Sequence, residues 1–160
     1  TPLSPQGGDA VRFLMSANVG EAMKPLSKVA SGGELARIML AIKNVMAEQD
    51  AVPTLIFDEV DAGVSGRAAQ KVAEKLASVA KHKQVLCVTH LPPIAAMADV
   101  HFAVEKRVEG ERTFTHVTQL DRAQRRAELA RLTSGGEASE TMLAGAEELL
   151  TAAERYKSGT

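Results

Sequence analysis

Two short apolar runs govern what this chain can fold into. Leu55-Ile56-Phe57 and Val85-Leu86-Cys87-Val88 are unbroken by any charge, and each stops abruptly at polar residues, Asp58-Glu59 and Thr89-His90. Runs of that length and composition read as strands buried on both faces. Between them, Gly66–Lys81 places Val72, Leu76 and Val79 at helical spacing, with Ser65 in position to cap. Buried strands alternating with helices predict an α/β fold, a mainly parallel sheet flanked by helices. In such a sheet the functional loops lie at the carboxyl ends of the strands. The polar residues that end both runs fall there.

The flanking sequence fits the same plan. From Gly32 to about Gln49 the apolar residues Leu35, Ile38, Met39, Ile42, Val45 and Met46 follow the spacing of a helix buried on one face. Ser31, followed three residues later by Glu34, is a capping-box pattern that sets the start of this helix. Pro92–Ala98 reads as a short helix. Segments 100–108 and 113–120 read as a hairpin, and 122–132 and 139–156 as two closing helices separated by Gly135-Gly136. Before the first helix, Ala10–Ser16 alternates like a half-buried strand and 17–30 reads as loop. The opening Thr1–Asp9, with two Pro and two Gly, reads as a linker or excision scar. The folded unit is therefore expected over 10–156, with 157–160 as a tail.

Composition narrows the function classes. Hydrophobic residues are 45% and charged residues 24% of the 160, enough to build a packed core. Aromatics are only 3%, so the core must be aliphatic and a base-stacking platform is not expected. A net charge of −1 argues against a dedicated basic nucleic-acid module on this stretch. A single cysteine, Cys87, excludes an internal disulfide and a multi-cysteine zinc site; mid-strand, it behaves as a small hydrophobe. No apolar run is long enough for a membrane span and no signal peptide opens the chain, so a cytoplasmic protein without membrane partners is expected.

The candidate chemistry gathers at few positions. Adjacent carboxylates directly after a buried strand are costly to place, because both are drawn toward the sheet's interior edge. In a nucleotide-binding protein the first, Asp58, holds Mg²⁺ and the second, Glu59, polarises an attacking water. Alone, the pair reads equally as a solvated strand end. Ser31-Gly32-Gly33-Glu34 opens a helix, where two glycines and first-turn N–H groups suit an anion and the Ser31 hydroxyl can donate to a phosphate. The same four-residue string recurs as Ser134-Gly135-Gly136-Glu137. That copy follows a helix and precedes no strand, so Gly135 reads as a helix C-terminal residue and the string as a decoy. His90, one strand after the carboxylate pair, can hydrogen-bond a terminal phosphate as a neutral imidazole. Asp61 lies in a glycine-containing loop and by itself reads as a turn former. Arg122, Arg125, Arg126 and Arg131 read as a solvated helix face, and His82, His101 and His116 lack metal-ligand spacing. The dipeptide Gly-Lys never occurs, so no phosphate loop of the G-x-x-x-x-G-K-[ST] type is encoded.

Taken together, these residues resemble the C-terminal lobe of an ABC-type ATPase head, the kind shared by SMC and related chromosome-maintenance proteins. Ala30-Ser31-Gly32-Gly33-Glu34 is similar to the signature motif of that family and Leu55–Glu59 to its Walker B strand. Asp61 falls in the matching D-loop, and His90 is similar to the switch histidine. The form Asp58-Glu59-Val60-Asp61-Ala62-Gly63-Val64-Ser65-Gly66 narrows the likeness to SMC-like bacterial DNA-repair members, over about Val11 to Leu150.

The resemblance implies ATP and Mg²⁺ as cofactors, with two heads sandwiching ATP between the P-loop of one and Ser31-Gly32-Gly33 of the other. Glu59 and His90 would be catalytic, Asp58 the metal ligand, and Ser31, Gly32, Gly33, Glu34 and Asp61 nucleotide-binding, with Asp61 communicating across the dimer. The implied partners are a second head, the P-loop lobe and coiled coil of the same parent chain, and DNA in double-strand break repair and recombination. The lobe alone is expected to be inactive, and the parent to lie in the bacterial cytoplasm with the nucleoid. Two rivals remain: a non-catalytic dimerisation or docking module, and a metal-dependent phosphohydrolase using Asp58, Glu59, Asp61 and His90 as ligands.

Overall fold

The computed structural model describes residues 7–9, 11–16, 19–28 and 31–159, the side chain of Ser27 excepted. Most of the opening segment, together with Ala10, Ala17, Asn18, Val29, Ala30 and Thr160, lies outside them. The elements run β1 (Leu14–Met15), β2 (Lys24–Pro25), a 3₁₀ turn at Leu26–Lys28, α1 (Gly32–Val45), β3 (Thr54–Phe57), α2 (Gly66–Ala80), β4 (Gln84–Cys87), α3 (Pro92–Met97), β5 (Phe102–Glu109), β6 (Arg112–Gln119), α4 (Arg122–Ser134) and α5 (Glu140–Ser158).

The two apolar runs become β3 and β4 and pair in parallel, Leu55 opposite Val85 and Phe57 opposite Cys87. The Val88 N–H donates to the Phe57 carbonyl at 3.0 Å, carrying the pairing to the strand ends. Ala69, Val72, Ala73, Leu76 and Val79 line the buried side of α2 at the expected helical spacing. Val72, Ala73, Leu76 and Val79 share one core with Leu55 and Phe57, with Ile94 to Met97 of α3, with Leu129 and Ala130 of α4, and with Ala146, Leu150 and Ala153 of α5. No helix among the described residues is long and apolar enough to cross a membrane.

Among the described residues the parallel part of the fold is this single two-stranded pair, and the other two-stranded sheets, β1–β2 and β5–β6, are antiparallel. The expectation that both runs are buried on both faces is corrected. Leu55 and Phe57 face the helices, whereas Ile56 is 71% exposed and Leu86 and Val88 are open on the same side. Strand side chains alternate, and among the described residues the helical layer covers one face only. Helix α1 is likewise less buried than its pattern suggests: Gly33 and Leu40 are buried, and Leu35 and Met39 are exposed. The apolar stripe of α1 is wider than the part that meets α2.

The remaining differences have local causes. The strand expected over 10–16 is described only as Leu14–Met15, paired with Lys24–Pro25 inside the expected loop. Ser65 stands at the start of α2, yet its side chain makes no capping bond. The hairpin forms in the register that pairs Val104 with Val117 across the two-residue turn Gly110-Glu111. The arginines do not make a simple solvated face. Arg125 is half-buried and donates to the carbonyls of Ala96 (3.1 Å) and Ala98 (2.8 Å), supplying donors that the end of α3 lacks. Arg122 reaches across to Glu147 and Glu154 of α5.

One-sided burial predicts a sharp contrast between two truncations. Leu129→Ala, at a fully buried position, is expected to cost about 2–5 kcal/mol in urea unfolding. Ile56→Ala, on the open face, is expected to stay within about 1 kcal/mol. Comparable losses at both positions would mean that the open face of β3 is covered in solution.

Candidate functional site

Two clusters meet at the carboxyl ends of β3 and β4. The first joins the start of α1 to the turn after β3. Ser31 caps α1: its hydroxyl accepts from the Glu34 N–H at 3.3 Å and donates to Glu34 Oε2 at 3.1 Å, while its own N–H donates to Oε2 at 2.8 Å. The capping box read from the sequence is thus complete, and those hydrogen bonds, backbone first, hold the Glu34 carboxyl below its ordinary range. In this state the hydroxyl proton of Ser31 is engaged by Glu34. A phosphate at this helix end would compete for it.

Gly33 answers to a packing requirement inside the chain. A Cβ there would lie 2.9 Å from both the Cβ and the carbonyl oxygen of Ala62, and 3.0 Å from the carbonyl of Glu59. The turn that presses on it is closed by the Ala62 N–H donating to the Glu59 carbonyl at 3.0 Å. Arg37, one turn into α1, clamps the same loop by donating to the carbonyls of Ala62 (2.8 Å) and Val60 (3.4 Å). Sequence reasoning missed Arg37. Its one available signal was a position on the same side of the helix as Gly33.

Glu59 occupies the left-handed region at φ 57°, uncommon for a residue other than glycine and costing of the order of 1–3 kcal/mol. This backbone turns the side chain back over α1, where a Cβ on Gly32 would sit 2.6 Å from Glu59 Oε2. The carboxylate therefore lies against the first turn of α1, the helix end that favours negative charge. Its neighbour Asp58 is exposed and accepts the Glu59 N–H through Oδ1 at 2.9 Å. That leaves its second oxygen directed to solvent. One such carboxylate, completed by waters and phosphate oxygens, suits Mg²⁺, which is commonly held that way.

The second cluster centres on Asp61, 5% exposed and the one buried charged residue among those described. Its Oδ2 accepts from Thr89 Oγ1 at 2.6 Å and from the His90 N–H at 3.0 Å, and His90 Nδ1 lies 3.0 Å away. Thr89 Oγ1 in turn accepts from the Leu91 N–H at 3.1 Å, extending the chain of bonds to the start of α3. Burial pushes the Asp61 carboxyl up, but the bonds from Thr89 and His90 outweigh it and hold the carboxyl below its ordinary range. Cys87, on the strand behind, is pushed up to about 11, first by burial and then by the nearby Asp61 and Asp58. It is a core thiol. Thr89, also missed in the sequence, could have been suspected only from its adjacency to His90.

The structure thus brings Gly32 and Gly33, in the helix start that Ser31 and Glu34 cap, against Glu59, and Asp61 against His90; Asp58 directly precedes Glu59 and accepts its N–H. The second Ser-Gly-Gly-Glu string goes elsewhere: Gly135 ends α4 in the left-handed conformation, φ 70°. No group of three or more His, Cys, Asp or Glu among the described residues is arranged to hold a metal. The four-ligand metal reading therefore lacks its donor set.

The carboxyl end of the parallel strand pair thus carries Asp58-Glu59 and His90 beside a glycine-opened helix. Among known proteins the chain is similar to the DNA repair protein RecN. The chain is 50% identical to the RecN of Bacillus subtilis over 155 residues and to that of Treponema pallidum over 155, in each case 97% of this chain and 27% of the relative. It is 53% identical to the Deinococcus radiodurans protein over 140 residues, 88% of this chain and 24% of that one. The chain therefore spans about a quarter of the length of the curated relatives it matches. No protein-family model matches. A solved structure concerned with ATP-driven dimerisation and DNA-stimulated activation of SMC ATPases overlaps 66% of this chain and 62% of its own, at 26% identity and a TM-score of 0.48.

The repeated string offers an internal control. Gly33→Ala must displace the Glu59–Ala62 turn and is expected to cost about 1–3 kcal/mol. Gly136→Ala meets nothing within 4 Å and is expected to be neutral to about 0.5 kcal/mol. Thermal melting of the two variants side by side checks this; equal melting temperatures would show that the turn does not lock α1.

Proposed function

We propose that this chain is the half of an SMC-like ATPase head that supplies the signature helix and the water-activating edge, in a parent protein acting on DNA in bacterial double-strand break repair and recombination. The observation that carries the reading is the joining of three sequence-distant motifs along one edge: Gly33 locked on the Glu59–Ala62 turn, and Asp61 of that turn bound to His90. The RecN likeness over nearly the whole chain supports the DNA-repair setting.

In this reading ATP lies between two heads. Ser31, Gly32 and Gly33 face the nucleotide held by the P-loop of the partner head. Asp58, Glu59 and His90 serve the nucleotide held by the P-loop lobe of their own parent. Mg²⁺, when bound at Asp58, supplies charge neutralisation at the phosphates. Glu59 orients a water and takes its proton, and His90 hydrogen-bonds the terminal phosphate. Phosphoryl transfer needs positioning and charge compensation more than covalent chemistry, so a site divided between lobes is sufficient.

The cis contacts add a mechanical consequence. Because Gly33 and Arg37 fasten α1 to the turn bearing Glu59, the surface offered to the partner's nucleotide and the edge serving the chain's own nucleotide move as one body. Engagement on one side is felt on the other.

In the full-length parent, Glu59→Gln is expected to bind ATP and accumulate engaged dimers while turnover falls at least ~10²-fold. Ser31→Arg is expected to leave ATP binding by the single head intact and to abolish ATP-dependent dimerisation and hydrolysis. Gel filtration with and without Mg-ATP, alongside phosphate release, reads both variants. Near-normal turnover by Glu59→Gln would remove Glu59 from the base role. Loss of single-head binding in Ser31→Arg would contradict its action on the partner's nucleotide.

A further inference from the structure

Thr89 stands between the turn after β3 and the start of α3, and its hydroxyl bonds to both. Oγ1 donates to Asp61 Oδ2 at 2.6 Å and accepts the Leu91 N–H at 3.1 Å. The partners fix both directions, because an ionised carboxylate only accepts and a backbone N–H only donates. The same Oδ2 accepts the His90 N–H at 3.0 Å, so three successive residues are bonded to Asp61 or to the group that Asp61 holds. A valine would match Thr89 in size and in backbone preference. Only the hydroxyl makes these bonds. Beyond them, Pro92 and Pro93 open α3 without an N–H, so the Leu91 amide is the last donor before the helix and Thr89 is its acceptor. Ile94 to Met97 then carry α3 into the core, where it packs against α2, α4 and α5.

From this arrangement we infer that Thr89 is a positioning residue: its hydroxyl holds Asp61, the backbone at His90 and the start of α3 in one register, so that the turn bearing Glu59 and Asp61 is placed relative to the helical layer. The inference rests on the proposed reading of this edge as half of an ATP site. Removing the hydroxyl takes one donor from the buried Asp61 carboxylate and leaves the Leu91 N–H without its acceptor, so the strand end loosens on two sides at once. In the same reading the nucleotide is bound by the P-loop lobe. The loss therefore falls on turnover and not on ATP binding by the single head.

Amide hydrogen exchange followed by ¹⁵N NMR on this chain reads the bonds directly. In the wild type the His90 and Leu91 amides should exchange slowly. Thr89→Val should speed exchange at Leu91 about tenfold or more, the worth of one hydrogen bond. Thr89→Ser, which keeps the hydroxyl, should leave it slow. Circular dichroism monitors the folding of each variant. An unchanged Leu91 rate in folded Thr89→Val overturns the assignment. Should Thr89→Val fail to fold, the wild type still decides: a Leu91 amide that exchanges at the rate of an unprotected peptide overturns it as well.

Kinetics on the full-length parent separate this inference from the reading beneath it. Thr89→Val should lower kcat about tenfold, with ATP binding by the single head unchanged, and Thr89→Ser should restore most of the loss. His90→Ala should lower kcat at least as far. If kcat falls in His90→Ala and ignores Thr89→Val, the positioning role of Thr89 is overturned. If kcat ignores both substitutions, the ATP-site reading of the edge fails instead. Equal losses of kcat and of ATP binding in Thr89→Val would show a general defect of folding and also overturn the positioning role.

Discussion

The carboxylate of Asp61 is the interaction on which the rest of this edge depends. It sits in the turn after β3 and binds the end of β4, so one buried oxygen fastens together two strands whose ladder stops at Val88. An unpaired charge in that position would be costly, and the Thr89 hydroxyl and the His90 N–H converging on it turn the cost into a fixed geometry. The same turn presses on Gly33 and accepts Arg37, so α1 is located by the loop that Asp61 anchors. Remove the anchor and the helix start, the carboxylate pair and the histidine lose their common frame.

That frame also explains why a residue other than glycine tolerates a left-handed backbone at Glu59. The turn is over-determined by Asp61 on one side and by Arg37 and Gly33 on the other, and a strained residue persists where its surroundings leave no alternative. The strain aims the Glu59 carboxylate at the first turn of α1. What the sequence presents as separate motifs is, in three dimensions, one continuous polar edge laid across a strand pair.

Much of this was legible before the structure. The two apolar runs predicted β3 and β4, and the spacing of Val72, Leu76 and Val79 predicted the buried side of α2. Ser31 and Glu34 form the expected capping box, and the second Ser-Gly-Gly-Glu string closes a helix as its context implied. What escaped depends on layers and partners that periodicity does not encode. Ile56 is as apolar as Leu55, yet whether it is covered depends on what lies beyond the sheet. Arg125 read as part of a solvated face and Arg37 was not singled out, because backbone carbonyls, their actual partners, leave no trace in a side-chain pattern. Asp61 read as a turn former because its partners lie nearly thirty residues away.

The claim at the centre is that this edge is half of a divided ATP site. It is tested most directly by measuring Mg-ATP hydrolysis with this chain alone and again after adding a separately produced P-loop lobe from the same parent. No turnover by the chain alone and turnover on mixing is the expected result. Turnover by the chain alone that survives exhaustive purification would contradict a divided site, because this sequence holds no phosphate loop with which to bind the nucleotide by itself.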